Sequence, residues 1–304
     1  MYHFWIRSTP RVTLNTDVPA PGGPASWKRE AHTRGAGVIV AALLVIGLGA
    51  VPATAGEPLE LVSPSVAVLD ARTGDELWAR RADDVRPIAS MTKIFVAMAI
   101  RKRGLDLERW TEINFDDAKA SVGGARTLLL EGQAFKNRDL LYAMLLSSDN
   151  RTPSALARSV GLSSDELIER MGHVAADLGL THTRFDDATG ILGNESTARE
   201  MALALRATLR DPLLARIMTT RHATVTSRSG DITAEYTSTV APLWDDHVKV
   251  RGGKTGHTDG AGYCLLIEVE AGKRTVVIAL LGGKTSEARF RDFDKLVAWL
   301  AAQP

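Results

Sequence analysis

The chain has a single cysteine, Cys264, in 304 residues, so no disulfide can form within it. It has no excess of either charge: 37 Lys/Arg against 36 Asp/Glu give a formal charge of +1, and no basic block offers a surface to nucleic acid. Its seven histidines include no His-x-x-x-His pair and do not cluster with carboxylates, so no metal or cofactor is expected. The longest uncharged apolar run, Gly37 to Val51, falls short of the roughly 20 residues a spanning helix needs. What is present is an ordinary globular composition, 45% hydrophobic and 24% charged, with enough apolar material for a sizeable core.

The short apolar run has its own meaning. Lys28, Arg29 and Arg34 precede it, and Pro52-Ala-Thr-Ala55 follows as a small-residue cleavage pattern. Residues 1–55 are therefore expected to be an N-terminal extension and signal peptide cut after Ala55, and residues 56–304 the exported domain, destined for the periplasm or cell-wall space. The extension holds five of the basic and two of the acidic residues, so the remainder is mildly acidic, net −2. Electrostatic binding to membranes is not implied, and once the signal is cut no stable anchor is expected.

Alternation in Ser65–Ala71 predicts a strand, turned by Arg72-Thr-Gly-Asp75 into a hairpin with Glu76–Arg80. Met91, Ile94, Phe95 and Met98 recur at helical spacing behind Pro87, so a buried helix is expected from near Ala89 to Arg103. Helices are also expected at 138–146, from a Thr152 cap, from the Ser163-Ser-Asp-Glu166 capping box, and from Thr197. The last third reads as a short strand at His247–Arg251, strands at 262–270 and 274–281, and a closing helix over 289–302. These elements predict an α+β fold: one antiparallel sheet built from both chain ends, a mainly helical lobe between, and a cleft beside the buried helix.

Three short motifs fall around that cleft. Ser90 and Lys93 stand three apart on the buried helix, where they share a face, and a lysine buried there is tolerable only if paired or neutral. Ser148-Asp-Asn150 ends another helix, and Lys254-Thr-Gly256 lies at a strand. Each is the sole instance of its pattern in the chain. Together, in this order, they form the set found in penicillin-binding proteins and class A β-lactamases. Ile88-Ala-Ser-Met-Thr-Lys93, Phe185-Asp-Asp-Ala-Thr-Gly190 and Lys254-Thr-Gly-His-Thr-Asp-Gly-Ala-Gly-Tyr263 resemble segments of the D-alanyl-D-alanine carboxypeptidases and endopeptidases, the low-molecular-mass penicillin-binding proteins. The likeness extends from about residue 60 to the end of the sequence. It implies a β-lactamase/transpeptidase-like fold, peptidoglycan stem peptides as substrates and β-lactams as covalent inhibitors.

On this reading Ser90 attacks the carbonyl of the penultimate D-Ala, its own first-turn N–H serving the oxyanion. Lys93 takes the proton, held neutral by burial and by a second cation, Lys254. Ser148 relays a proton to the leaving amine and Asn150 holds the substrate's amide. Lys254 and Thr255 grip the carboxylate of the leaving residue, Gly256 lets the substrate lie along the strand, and the backbone of His257 is the second oxyanion donor. The His257 side chain and Cys264 are expected to be structural.

A β-lactamase would need a Glu-x-x-Leu-Asn pattern after the second motif, and none of Glu166, Glu169, Glu195, Glu200 or Glu235 begins one. A non-catalytic cell-wall binding protein would have no need of Ser90, Lys93, Ser148 and Lys254 together. Carboxypeptidase action is the main expectation and cleavage of peptide cross-links the alternative. With the sequence ending at Pro304, the C-terminal membrane helix of larger family members is expected to be absent. The compact length and Ser147-Ser-Asp-Asn-Arg151 lean toward the cross-link-cleaving branch, Lys-Thr-Gly-His-Thr-Asp toward carboxypeptidases.

Overall fold

Strand residues alternate between two apolar layers, and that alternation sets the architecture. Val66, Val68, Leu265, Ile267, Val276, Ile278 and Leu280 enter one buried cluster, while Ala67, Leu69, Leu266, Val277, Ala279 and Leu281 enter the other. The computed structural model describes residues 59–125 and 127–303. The chain divides into two units, 1–54 and 55–304, and the described residues all belong to the second. The expected signal peptide and the boundary after Ala55 lie outside the described residues.

The hairpin β1 (Ser65–Asp70) and β2 (Glu76–Arg80) leads through β3 (Arg86–Pro87) into a 3₁₀ turn, Ala89–Thr92, and helix α1 (Lys93–Lys102). The lobe that follows holds β4 (Trp110–Glu112), α2 (Phe115–Ala120), β5 (Ala134–Lys136), α3 (Asn137–Ser147), α4 (Thr152–Ser159) and α5 (Ser164–Asp177). It continues through β6 (Glu195–Ser196), α6 (Ala198–Thr208), α7 (Pro212–Met218) and the hairpin β7 (His222–Thr226) and β8 (Thr233–Thr237). The chain then returns as β9 (Val250–Thr258), β10 (Gly262–Ala271), β11 (Arg274–Gly283) and α8 (Ser286–Ala301). The main sheet has the order β2-β1-β11-β10-β9 and is antiparallel throughout. Ser65 pairs with Leu281 and Asp70 with Val276, so the two ends of the described chain are joined at the sheet's centre.

One face of the sheet is covered by α8, which presents Phe293, Leu296 and Leu300 as its spacing foretold. The other face meets the helical lobe, with α1 inside it: every residue from Lys93 to Ile100 is buried. The capping box at Ser163 opens α5 as expected, and a second one, Asn114 with Asp117, opens α2.

Four expectations are corrected. The helix expected near Ala89 starts as a 3₁₀ turn, because Ala89 sits at φ +48°, outside the right-handed helical region. Arg151, not Thr152, is the N-cap of α4; the Thr152 hydroxyl instead donates to the Asp149 carbonyl, 2.7 Å away. The strand at 247–251 begins only at Val250 and continues through Lys254-Thr-Gly256 to Thr258, so that motif is strand rather than the loop after one. The closing helix starts at Ser286, where the Thr285 hydroxyl accepts from the Ala288 amide.

Candidate active site

The approach to Ser90 is tightly determined. Ala89 adopts a left-handed conformation that costs a side-chain-bearing residue roughly 1–2 kcal/mol. Its neighbours hold it there: the Ile88 amide donates to the Asn194 carbonyl at 2.9 Å, and the Thr92 hydroxyl donates to the Ala89 carbonyl at 2.8 Å. Asn194 then donates to that same hydroxyl at 2.9 Å. Ser90 follows, partly exposed at the cleft floor, with its Oγ 3.0 Å from Lys93 Nζ.

Lys93 is wholly buried, and burial lowers its pKa to about 7 against the opposing pull of Asp187 and Asp149. Desolvation is thus the leading cause of a neutral amine, whereas the sequence reading had shared that task with Lys254. Lys93 Nζ also donates to the Thr189 carbonyl at 2.7 Å. A neutral amine that donates to Thr189 keeps its lone pair for the Ser90 hydroxyl, which is the arrangement general-base activation requires.

Thr189 is presented by a loop wound around one carboxylate. Asp187 accepts from the amides of Thr189, Gly190 and Ile191 at 3.0, 3.1 and 3.3 Å. Gly190 lies at φ +87°, and a Cβ there would stand 2.1 Å from the Ala89 carbonyl oxygen. A Gly190→Ala substitution is therefore expected to push the 187–191 loop off the Ser90 turn. The expected cost is about 1–3 kcal/mol in stability, read by urea unfolding, and a fall of at least about tenfold in penicillin acylation rate.

Ser148 caps α3 in a left-handed conformation, φ +62°. Asp149, between the two motif residues, is fully buried and accepts from Tyr236 Oη at 2.7 Å, Thr127 Oγ1 at 2.8 Å and the Arg151 amide at 3.0 Å. This clamp ties the turn to β8 and to the segment at Thr127. It leaves Asn150 buried at the cleft with both side-chain polar atoms unpartnered among the described residues. Such atoms are costly unless a ligand meets them.

Lys254 is also wholly buried and does not line the cleft. Its amino group donates to Ser148 Oγ and, at 2.9 Å, to the Thr255 carbonyl; burial, and then Lys93 and Arg289, push its pKa well down. The expected direct grip of Lys254 on a carboxylate is accordingly corrected: this amine faces Ser148. Thr255 does line the cleft, its hydroxyl 2.6 Å from that of Thr239. Gly256 has a packing reason beside the one inferred from sequence. A Cβ there would lie 2.9 Å from the Ile88 carbonyl and 3.2 Å from the Ala89 Cβ, so glycine lets β9 abut the Ser90 turn. His257 stacks on Tyr263 at 3.9 Å between ring centroids, and partial burial lowers its pKa. Cys264 is buried, as expected, and burial raises its thiol pKa to about 11.

The cleft has a volume of about 600 Å³ and brings together Ser90, Ser148, Asn150, Thr255, Gly256 and His257, with Lys93 and Lys254 behind them. One cation in its wall was missed in the sequence. Arg289, only 7% exposed, donates to the Cys264 carbonyl at 2.9 Å and has no carboxylate partner among the described residues. Burial lowers its pKa to about 10, so it stays charged at neutral pH. Its signal was an arginine four residues before Phe293, on the buried stripe of α8.

The family model of the D-alanyl-D-alanine carboxypeptidases matches residues 52–285. The D-alanyl-D-alanine endopeptidase of Pseudomonas aeruginosa is 32% identical over 252 residues, which cover 82% of this chain and 81% of that one. The D-alanyl-D-alanine carboxypeptidase DacC of Escherichia coli is 30% identical over 243 residues, covering 76% of this chain and 59% of its own length. Among solved structures, the Streptomyces K15 DD-transpeptidase superposes with a TM-score of 0.75 at 26% identity, over 80% of this chain and 98% of that one. With Ser90 at the floor of its cleft against a buried Lys93 and a family match over most of its length, the chain belongs to the D-alanyl-D-alanine carboxypeptidase family of serine peptidases.

Proposed function

We propose that Ser90 is the nucleophile of a D,D-peptidase acting on peptidoglycan stem peptides. Its Oγ attacks the carbonyl carbon of the penultimate D-Ala while its proton passes to Lys93. Collapse of the tetrahedral intermediate breaks the peptide bond, and the leaving nitrogen takes a proton through Ser148, which Lys254 holds in place. Water then attacks the acyl-enzyme and releases the shortened peptide. Asn150 receives the substrate's amide, and Thr255 with Arg289 receives the carboxylate beside the leaving nitrogen, a charge pairing suited to a buried guanidinium. The observation that carries this reading is Lys93, wholly buried with a pKa of about 7 and 3.0 Å from Ser90 Oγ. Export through residues 37–55 belongs to the same reading, since the substrate lies outside the cytoplasm.

Removal of a terminal D-Ala is the main activity proposed. Cleavage of cross-links is the second reading, favoured by the 32% identity to the Pseudomonas endopeptidase. Both reactions present a carboxylate next to the scissile nitrogen, so Thr255 and Arg289 serve either. Pentapeptide monomers and cross-linked muropeptide dimers, digested side by side, separate the two. Free D-Ala is expected from the monomers; loss of dimers without free D-Ala reverses the order. A fluorescent penicillin is expected to label the protein about stoichiometrically and leave slowly, and rapid multiple turnover of a chromogenic cephalosporin would overturn the peptidase reading.

A further inference from the structure

Trp244 is the one tryptophan among the large exposed apolar side chains of the described residues, 41% exposed at the end of a 3₁₀ turn, Ala241–Trp244, that buries Pro242 and Leu243. Its ring is braced. The His222 ring meets it edge-on, 4.6 Å between centroids at 67°, and the Arg221 guanidinium lies 5.7 Å from its centroid. Arg221 is in turn paired with the exposed Asp246 at 2.6 Å. An aromatic face rimmed by a guanidinium, an imidazole and a carboxylate suits one kind of ligand well. The ring packs on the C–H face of a sugar, and the rim supplies donors and an acceptor for its hydroxyls and acetamido group. A single tryptophan is far smaller than the roughly 1,000 Å² that a specific protein partner buries, which argues against a docked protein.

The position of this surface says which sugar. Ser147, in the cleft wall, donates to the Thr237 carbonyl at 2.8 Å, and Thr237 pairs with His222 across the β7–β8 hairpin. Thr239, also in the wall, bonds Thr255. The segment 237–239 thus borders the side of the cleft where the leaving group is placed, and the braced ring lies beyond it. Trp244 lies five positions on from Thr239, at most about 17 Å of chain, which is the reach of an extended stem peptide of similar length. We infer that Trp244, with Arg221, His222 and Asp246, binds an N-acetylated hexosamine of the glycan strand carried by the leaving half of a cross-linked substrate. This deepens the cross-link-cleaving reading and rests on it.

Calorimetry in a Ser90→Ala background tests it, with two ligands: cross-linked muropeptide dimers bearing their disaccharides, and the same dimers stripped of sugar by an amidase. The disaccharide is expected to tighten binding about tenfold, and Trp244→Ala to abolish that difference while leaving affinity for the stripped dimer unchanged. Trp244→Phe is expected to keep part of it. Equal affinity for the two dimers, or an equal loss for both in Trp244→Ala, overturns the proposal. Failure of the cross-link-cleaving reading looks different: wild-type protein would then release free D-Ala from pentapeptide monomers and leave cross-linked dimers intact.

Discussion

A Ser90→Ala variant is expected to fold, to bind stem peptides and to lose penicillin labelling completely. Peptide hydrolysis should fall by roughly 10⁴-fold or more, since removal of a nucleophile eliminates the acyl-enzyme route and leaves only binding and oxyanion stabilisation. Folding should survive because Ser90 Oγ has few partners: Lys93 at 3.0 Å and a long 3.5 Å contact with the Thr189 carbonyl. The neighbouring bonds that hold the turn belong to Thr92, Asn194 and the backbone, and alanine leaves them intact. Mass spectrometry after incubation with a penicillin reads the outcome directly. A covalent adduct on the variant would move the nucleophile elsewhere.

Lys93 carries the second large effect, and here pH distinguishes a proton acceptor from a packing residue. With a pKa of about 7, the amine is charged below that value and neutral above it. The acylation rate is expected to rise about tenfold per pH unit up to near pH 7 and then level off. Lys93→Met, which keeps the volume and removes the base, is expected to slow acylation by about 10³–10⁴-fold and to flatten the profile between pH 6 and 8. A variant that kept the wild-type pH dependence would remove Lys93 from the proton's path. The same burial acts on folding. The unfolded chain holds this proton up to its ordinary value of 10.5 and the folded protein releases it near 7, so this group's contribution to stability rises with pH across that window.

The strands, the buried helix and the three motifs were legible because each follows from local chemistry: alternation, apolar periodicity, a capping box. Ser90 and Lys93 were legible as a pair because three-residue spacing brings them together in a helix or a 3₁₀ turn alike. What stayed hidden depends on contacts distant in sequence. Ala89 is held left-handed by Asn194, 105 positions on, and nothing in an alanine announces that. Gly256 reads as a gap for substrate until the Ile88 carbonyl is seen behind it. The hairpin β7–β8 was passed over, since its strands alternate between exposed and less exposed residues without the long apolar run of β10 or β11. Arg289 was lost among the apolar residues of α8 although a buried arginine is itself a signal.

The pairing of Ser65 with Leu281 has a kinetic consequence. The central strands come from opposite ends of the described chain, so closing the sheet means closing a loop of more than two hundred residues, a slow and late event in folding. β9, which holds Thr255 and Gly256 against the nucleophile's turn, pairs only with β10, and β10 in turn with β11. A chain still emerging from the ribosome therefore holds Ser90 and Lys93 but not the wall that completes their cleft. Chemistry is withheld until the final strands have docked, and a partly synthesised molecule stays inert.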